Sequence, residues 1–137
     1  MIFVDTNVVS ETLRIAPDTR VLAWLEKHDA VLALCSVVIG ELAFGIEKIR
    51  PDQRAKRLSA GLEAWRQRCG GRIFGFTEEA ALAYGTIMGK AARRGHAMSA
   101  QDGMIAAIVR VHDGALATRN TDDFEGTGID LVNPWAA

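Results

Sequence analysis

Five short runs, Ile2–Val4, Val31–Cys35, Ile73–Phe76, Ala115–Thr118 and Asp130–Val132, alternate along the chain with stretches of helical periodicity. Runs this short and this apolar suit buried strands rather than helices. Between them, Thr19–His28 carries Val21, Leu22 and Leu25, and Ser36–Arg50 carries Val38, Leu42, Ile46 and Ile49. Pro51–Cys69 bears a stripe of Leu58, Leu62, Trp65 and Cys69, with arginines on its other faces. Thr77–Arg94 opens on Glu78 and Glu79 and closes on Arg93, Arg94 and Gly95, charges that match a helix dipole at both ends. Ser99–His112 completes the series and stops at Asp113-Gly114. Strands alternating with helices predict an α/β domain around a mostly parallel sheet. With 137 residues and no repeat or linker, residues 1–137 are expected to form one domain.

Composition narrows the class. Apolar residues at 49% and charged residues at 24% describe an ordinary globule, and VLALCSVVIG is too short to span a bilayer. Asp5 stands where a secretory leader would carry basic residues, and Cys35 and Cys69 form no CxxC motif. A cytoplasmic protein with two buried, reduced thiols is expected. The net charge of −1 argues against a basic coat for nucleic acid. Residues 50–72, however, set seven basic side chains against Asp52 and Glu63, a net +5. Residues 101–137 set six acids against Arg110 and Arg119, a net −4. The first is most simply a solvated helix face, but it could also contact phosphate, as could Lys90, Arg93 and Arg94. Gly85 and Gly89, on one helical face, suggest close helix packing or, less simply, a subunit contact.

Four acidic positions stand where α/β proteins gather ligands, at strand ends and helix starts. Asp5 ends the first strand, although capping of the helix that follows, by Asp5 or Thr6, would also explain it. Glu41 falls on a helical wheel between the main stripe and a flank formed by Val37 and Phe44, at the edge of the core or in a site. Asp102 follows Ser99 in a capping box, at the start of a helix apolar nearly all round. Asn120, Asp122 and Asp123 crowd the turn after the Ala115–Thr118 run, where turn chemistry alone also favours them. Brought together, such carboxylates would repel one another unless protonated or bridged by a cation. Oxygen donors without histidine or cysteine suit Mg²⁺ or Mn²⁺ rather than zinc. His28, His96 and His112 lack ligand spacing and read as surface or capping residues. Trp65 and Trp24 lie on helix faces and read as core.

The segments FVDTNVVSE, SVVIGELAFGI, SAQDGMIAAI and LATRNTDDF…VNPW, in this order and at this length, resemble the PIN-domain family, specifically VapC-like ribonuclease toxins of type II toxin–antitoxin pairs. The resemblance implies a three-layer α/β/α sandwich with a mostly parallel central sheet. It implies Mg²⁺- or Mn²⁺-dependent endonucleolytic cleavage of RNA, leaving a 5′-phosphate. Carried over by position, the acids are Asp5, Glu41 and Asp102, with Asp123 as the fourth. Asn120 becomes a neutral ligand or water-positioning group, and Asp122 is left exposed. Thr6 and Asn7 are expected to orient Asp5 or a bound water. A VapB-like antitoxin whose arginine reaches the acids, a homodimer, and contact with DNA only through the antitoxin are implied as well. A phosphohydrolase of small phosphoesters, or a catalytically silent PIN module serving as an interaction subunit, are the alternatives.

Overall fold

A computed structural model describes every residue, Met1–Ala137. Five strands are present: β1 (Ile2–Val4), β2 (Leu32–Cys35), β3 (Ile73–Phe74), β4 (Ala115–Ala117) and β5 (Asp130–Val132). Six helices flank them: α1 (Thr6–Thr12), α2 (Thr19–Lys27), α3 (Ser36–Lys48), α4 (Arg54–Arg68), α5 (Glu78–Arg93) and α6 (Ala100–Val111). The strand order is β3-β2-β1-β4-β5 and every pairing is parallel. The expected α/β architecture is present, with a sheet parallel throughout. From β1 the chain winds outward through β2 to β3, then returns to the other side of β1 for β4 and β5. Right-handed crossovers on either side of that reversal put helices on both faces of the sheet. The reversal also opens a crevice at the carboxyl ends of β1 and β4.

Burial explains which runs became strands. All of β2 is buried, as are Phe3, Val4, Leu116 and Ala117. Strands covered on both faces have no room for the polar alternation of a half-exposed sheet. Helix α6 buries Gly103 and every residue from Ile105 to Val109, as its nearly all-apolar sequence demands. The edges retreat from their expected limits. Val31 is 42% exposed in a short 3₁₀ turn, and β3 pairs on one side only and ends at Phe74, leaving Phe76 outside the sheet. Helix α4 begins at Arg54, three residues after Pro51, with the Asp52 carboxylate accepting the Arg54 N–H.

Three side-chain expectations are settled here. Trp65 and Trp24 are core residues, and the Trp65 indole N–H donates to Thr12 Oγ1, tying α4 to the end of α1. Cys35 and Cys69 are free and buried, and burial pushes the Cys35 thiol up to about 11. Gly85 and Gly89, by contrast, are exposed and face open space within this chain. The buried stripe of α5 runs through Ala80, Ile87 and Ala91, on the other side of the helix. Close packing of α5 against α6 falls instead to Gly103, where a β-carbon would sit 2.5 Å from Met88 Sδ. No helix is long and apolar enough to cross a membrane.

Candidate active site

Asp5 sits at the carboxyl end of β1, where the peptide must leave the sheet and start α1. Its own N–H still donates to Ala117 O at 2.9 Å, so the carboxylate emerges beside β4 at the crevice. One oxygen caps α1 by accepting the Thr6 N–H at 2.8 Å; the other accepts the Thr118 hydroxyl at 2.8 Å. Asn7 Nδ2 donates more weakly, at 3.4 Å. Capping and site roles thus coexist on one side chain that is only 6% exposed. Thr6 meets Asp5 through its backbone N–H, while its hydroxyl donates to Glu41 Oε1 at 2.9 Å. That bond ties α3 to α1 and holds Glu41 at the wall of the cavity that Asp5 also lines.

Asp102 opens α6, and its N–H donates to Ser99 Oγ at 3.1 Å. The backbone half of the capping box is therefore made, and Ser99 also stands close enough to the carboxylate to favour its ionised form. Asp123 belongs to the 3₁₀ turn Thr121–Phe124, anchored by the buried Phe124. Asp5, Thr6, Asn7, Ser10, Glu41, Asp102, Asn120, Asp123 and Phe124 line one cavity of about 370 Å³. All four acids named from the sequence meet there, with all three supporting residues. Asp122 is exposed and takes no part, as expected. None of the histidines lines this cavity: His28 stacks on Trp24, and His112 lies against Phe74.

Two residues of the site went unread in the sequence. Ser10 lies one helical turn beyond Thr6, a spacing visible once α1 is known to begin at Thr6. Thr118 is the hub: its hydroxyl donates to Asp5 and accepts from Asn7 Nδ2 at 3.3 Å and from the Asn120 N–H at 3.1 Å. The register Val4↔Ala117 places it directly beside Asp5. Thr118→Val keeps the shape but strands a buried carboxylate and a backbone donor. It is expected to lower stability by about 1–3 kcal/mol in a denaturant melt, with Thr118→Ser recovering most of the loss.

The electrostatics follow from this geometry. Burial, then the charges of Asp5, Asp123 and Glu41, push the Asp102 carboxyl up to about 6, against the lowering effect of its bond to Ser99. Asp5 is also raised, by burial first and by Asp123 in a smaller part, with the Thr118 and Thr6 bonds opposing. The carboxylates surround the space without closing on one point, for no three acidic, histidine or cysteine side chains come near enough together to hold an ion by themselves. The donor set is nonetheless all oxygen, with room for retained waters. That suits Mg²⁺, which commonly takes one or two carboxylates and keeps part of its hydration shell.

The basic region reads differently in three dimensions. Arg50, Arg54, Arg66 and Arg68 pair with Glu47, Asp52, Glu63 and Asp29. Arg57 donates to Leu13 O, and Arg72 to Leu32 O at 2.6 Å. Of its seven cations only Lys56 has no partner in the chain.

Comparison with known proteins places this geometry in context. The profile of the PIN domain matches residues 2–129. A VapC ribonuclease, Y4jK, from Sinorhizobium fredii is 35% identical over 137 residues, covering 98% of each chain. Toxin FitB from Neisseria gonorrhoeae is 35% identical over 139 residues, covering 98% of this chain and 99% of the relative. The crystal structure of FitAcB from Neisseria gonorrhoeae superposes with a TM-score of 0.92 at 34% identity, over 100% of both chains.

Proposed function

Because this chain belongs to the PIN domain family, we propose that it is a metal-dependent endoribonuclease, the toxin partner of a cognate antitoxin. The observation that carries the proposal is the single cavity at the β1/β4 crevice, into which four chain segments bring Asp5, Glu41, Asp102 and Asp123. Relatives that share the full length of the chain bear the names ribonuclease and toxin, and the acids fall on the segments by which the chain resembles them.

Asp5 and Asp102 are the proposed ligands of Mg²⁺ or Mn²⁺, directly or through water, with Glu41 and Asp123 completing the cage through retained waters. When bound, the ion supplies positive charge to admit an anionic phosphodiester and Lewis acidity for its cleavage. The rest is the work of side chains. Thr118 and the Thr6 N–H bond the charged form of Asp5 and so oppose, without cancelling, the burial that raises its pKa. Thr6 holds Glu41 Oε1 and leaves its second oxygen to orient or deprotonate the attacking water. Asp123, on its short turn, and Asn120 face the same space and complete the positioning of that water.

A neighbouring groove of about 400 Å³ shares Thr6, Ser10 and Glu41 with the acidic cavity and continues along Leu13, Leu42, Ile46 and Leu58. Its apolar floor suits the inhibitory segment of an antitoxin, with an arginine reaching the carboxylates by bidentate bonds. In this reading the toxin works in the cytoplasm as a homodimer and meets DNA only through the antitoxin.

Incubation of the protein with single-stranded and structured RNA in Mg²⁺, with and without chelator, tests the proposal. Cuts bearing 5′-phosphates that vanish with chelator are expected. Turnover of a chromogenic phosphomonoester without RNA cleavage would mark a phosphohydrolase, and silence on both substrates a binding module.

A further inference from the structure

Helix α3 carries an aromatic ring that its sequence pattern assigns to the core flank. Phe44 is instead 68% exposed, whereas its expected companion Val37 packs against the core. Phe44 stands three residues after Glu41 on the helix, about 4.5 Å further along its axis. With Gly40, Glu41 and Gln101 it lines a hollow of about 470 Å³ that shares Glu41 with the acidic cavity. Lys48, one turn beyond, holds its ammonium 5.7 Å from the ring centre and joins no ion pair.

We propose that Phe44 is a stacking platform for a nucleobase of single-stranded RNA beside the cleaved phosphate, with Lys48 taking an adjacent phosphate. This rests on the endoribonuclease reading above and assigns the part of the substrate which that reading leaves unheld. The carboxylates can govern only the reacting phosphate. Bases in single strands are gripped by aromatic faces and flanking cations, at little cost in sequence tolerance. Gly40 leaves the floor of the hollow clear, since even an added β-carbon would meet nothing within 4 Å. The Gln101 amide offers both a donor and an acceptor to a base edge. Lys48 supplies the complementary charge that the largely committed arginines of residues 50–72 do not. A largely exposed phenyl ring beside a phosphate-handling site, with an ammonium that joins no ion pair held against that ring, fits a nucleotide better than an apolar protein surface.

The test is steady-state cleavage of a single-stranded oligoribonucleotide in Mg²⁺ by the wild type, Phe44→Ala, Phe44→Trp, Phe44→Leu and Lys48→Ala, with sedimentation of each. Phe44→Ala is expected to raise KM roughly ten-fold with a much smaller change in kcat. Phe44→Trp should restore KM and Phe44→Leu should not, because stacking needs a π face. Lys48→Ala should shallow the salt dependence of KM by about one phosphate contact. An active Phe44→Ala with wild-type KM overturns the platform alone, and so does full rescue by leucine. A KM change that tracks loss of a dimer in sedimentation also overturns it, assigning the ring to contact between copies. A wild type that cuts no RNA overturns the endoribonuclease reading along with it, so the two failures are distinguishable.

Discussion

Asp102→Asn is expected to cut RNA cleavage at least about 100-fold, since even the outer partners of a metal site are worth 10- to 100-fold. The cut should occur with no loss of folded structure. The side chain of Asp102 makes no bond that the fold depends on; the α6 cap is made by the residue's backbone N–H to Ser99. The substitution therefore removes one charge and one strong ligand and little else. Asp5→Asn should abolish cleavage as fully but at a cost in stability. If its amide oxygen accepts the Thr6 N–H, the new NH₂ must face the Thr118 hydroxyl and the Asn7 amide, where a carboxylate oxygen had accepted both. The pair thus separates chemistry from folding. Cleavage at saturating Mg²⁺ and a circular-dichroism melt of each variant make the comparison. An Asp102→Asn protein that is folded and fully active would remove the carboxylate cage from the mechanism.

That separation was only partly visible in the sequence, and the reasons are physical. The strands were legible because burial on both faces leaves an uninterrupted apolar run, as in Leu32–Cys35. The acids were legible because a carboxylate directly after such a run contradicts burial and so demands a partner. What escaped depended on register. Thr118 looks like the last residue of a strand, and its bonds to Asp5 and from Asn7 exist only because β4 lies alongside β1 with Ala117 opposite Val4. Helix α1 was implied only by its cap, since seven residues give too little periodicity to mark an element. Phe44 was misread because helical spacing reports an apolar face whether or not something covers it. The arginines of residues 50–72, most simply a solvated face in the sequence, kept phosphate contact open as an alternative until their partners, most of them exposed and some distant in the chain, came into view.

Metal-free protein should be less stable at pH 7.5 than at pH 4.0 on account of Asp102, and Asp102→Asn should erase that part of the difference. The carboxyl titrates near 3.8 when unperturbed and is pushed up to about 6 in the fold, by burial and by the neighbouring acids. The folded state therefore holds its proton more tightly than the unfolded chain does. Stability falls as pH rises from about 4 through 6, and the whole penalty is present above 6. Asp5, raised as well, acts in the same direction. At face value the shift is worth about 3 kcal/mol. Asp102 is only half buried, and solvent screening reduces this to about 1 kcal/mol, roughly 3–6 °C in Tm for a domain of this size. Asp18, held down to about 2 by Arg20, has the opposite sign and destabilises only in stronger acid, so it is common to both proteins and cancels. Mg²⁺ should reverse the ranking. An ion that binds the folded state alone raises Tm with its concentration, by about 2.7 kcal/mol at a hundred times its Kd. The wild type should gain most at pH 7.5, where its carboxylates are ionised, and Asp102→Asn little. Melts at pH 4.0 and 7.5, with Mg²⁺ and with chelator, read this without any RNA. A wild type whose Tm ignores both pH and Mg²⁺ would mean that these acids neither repel one another nor share an ion.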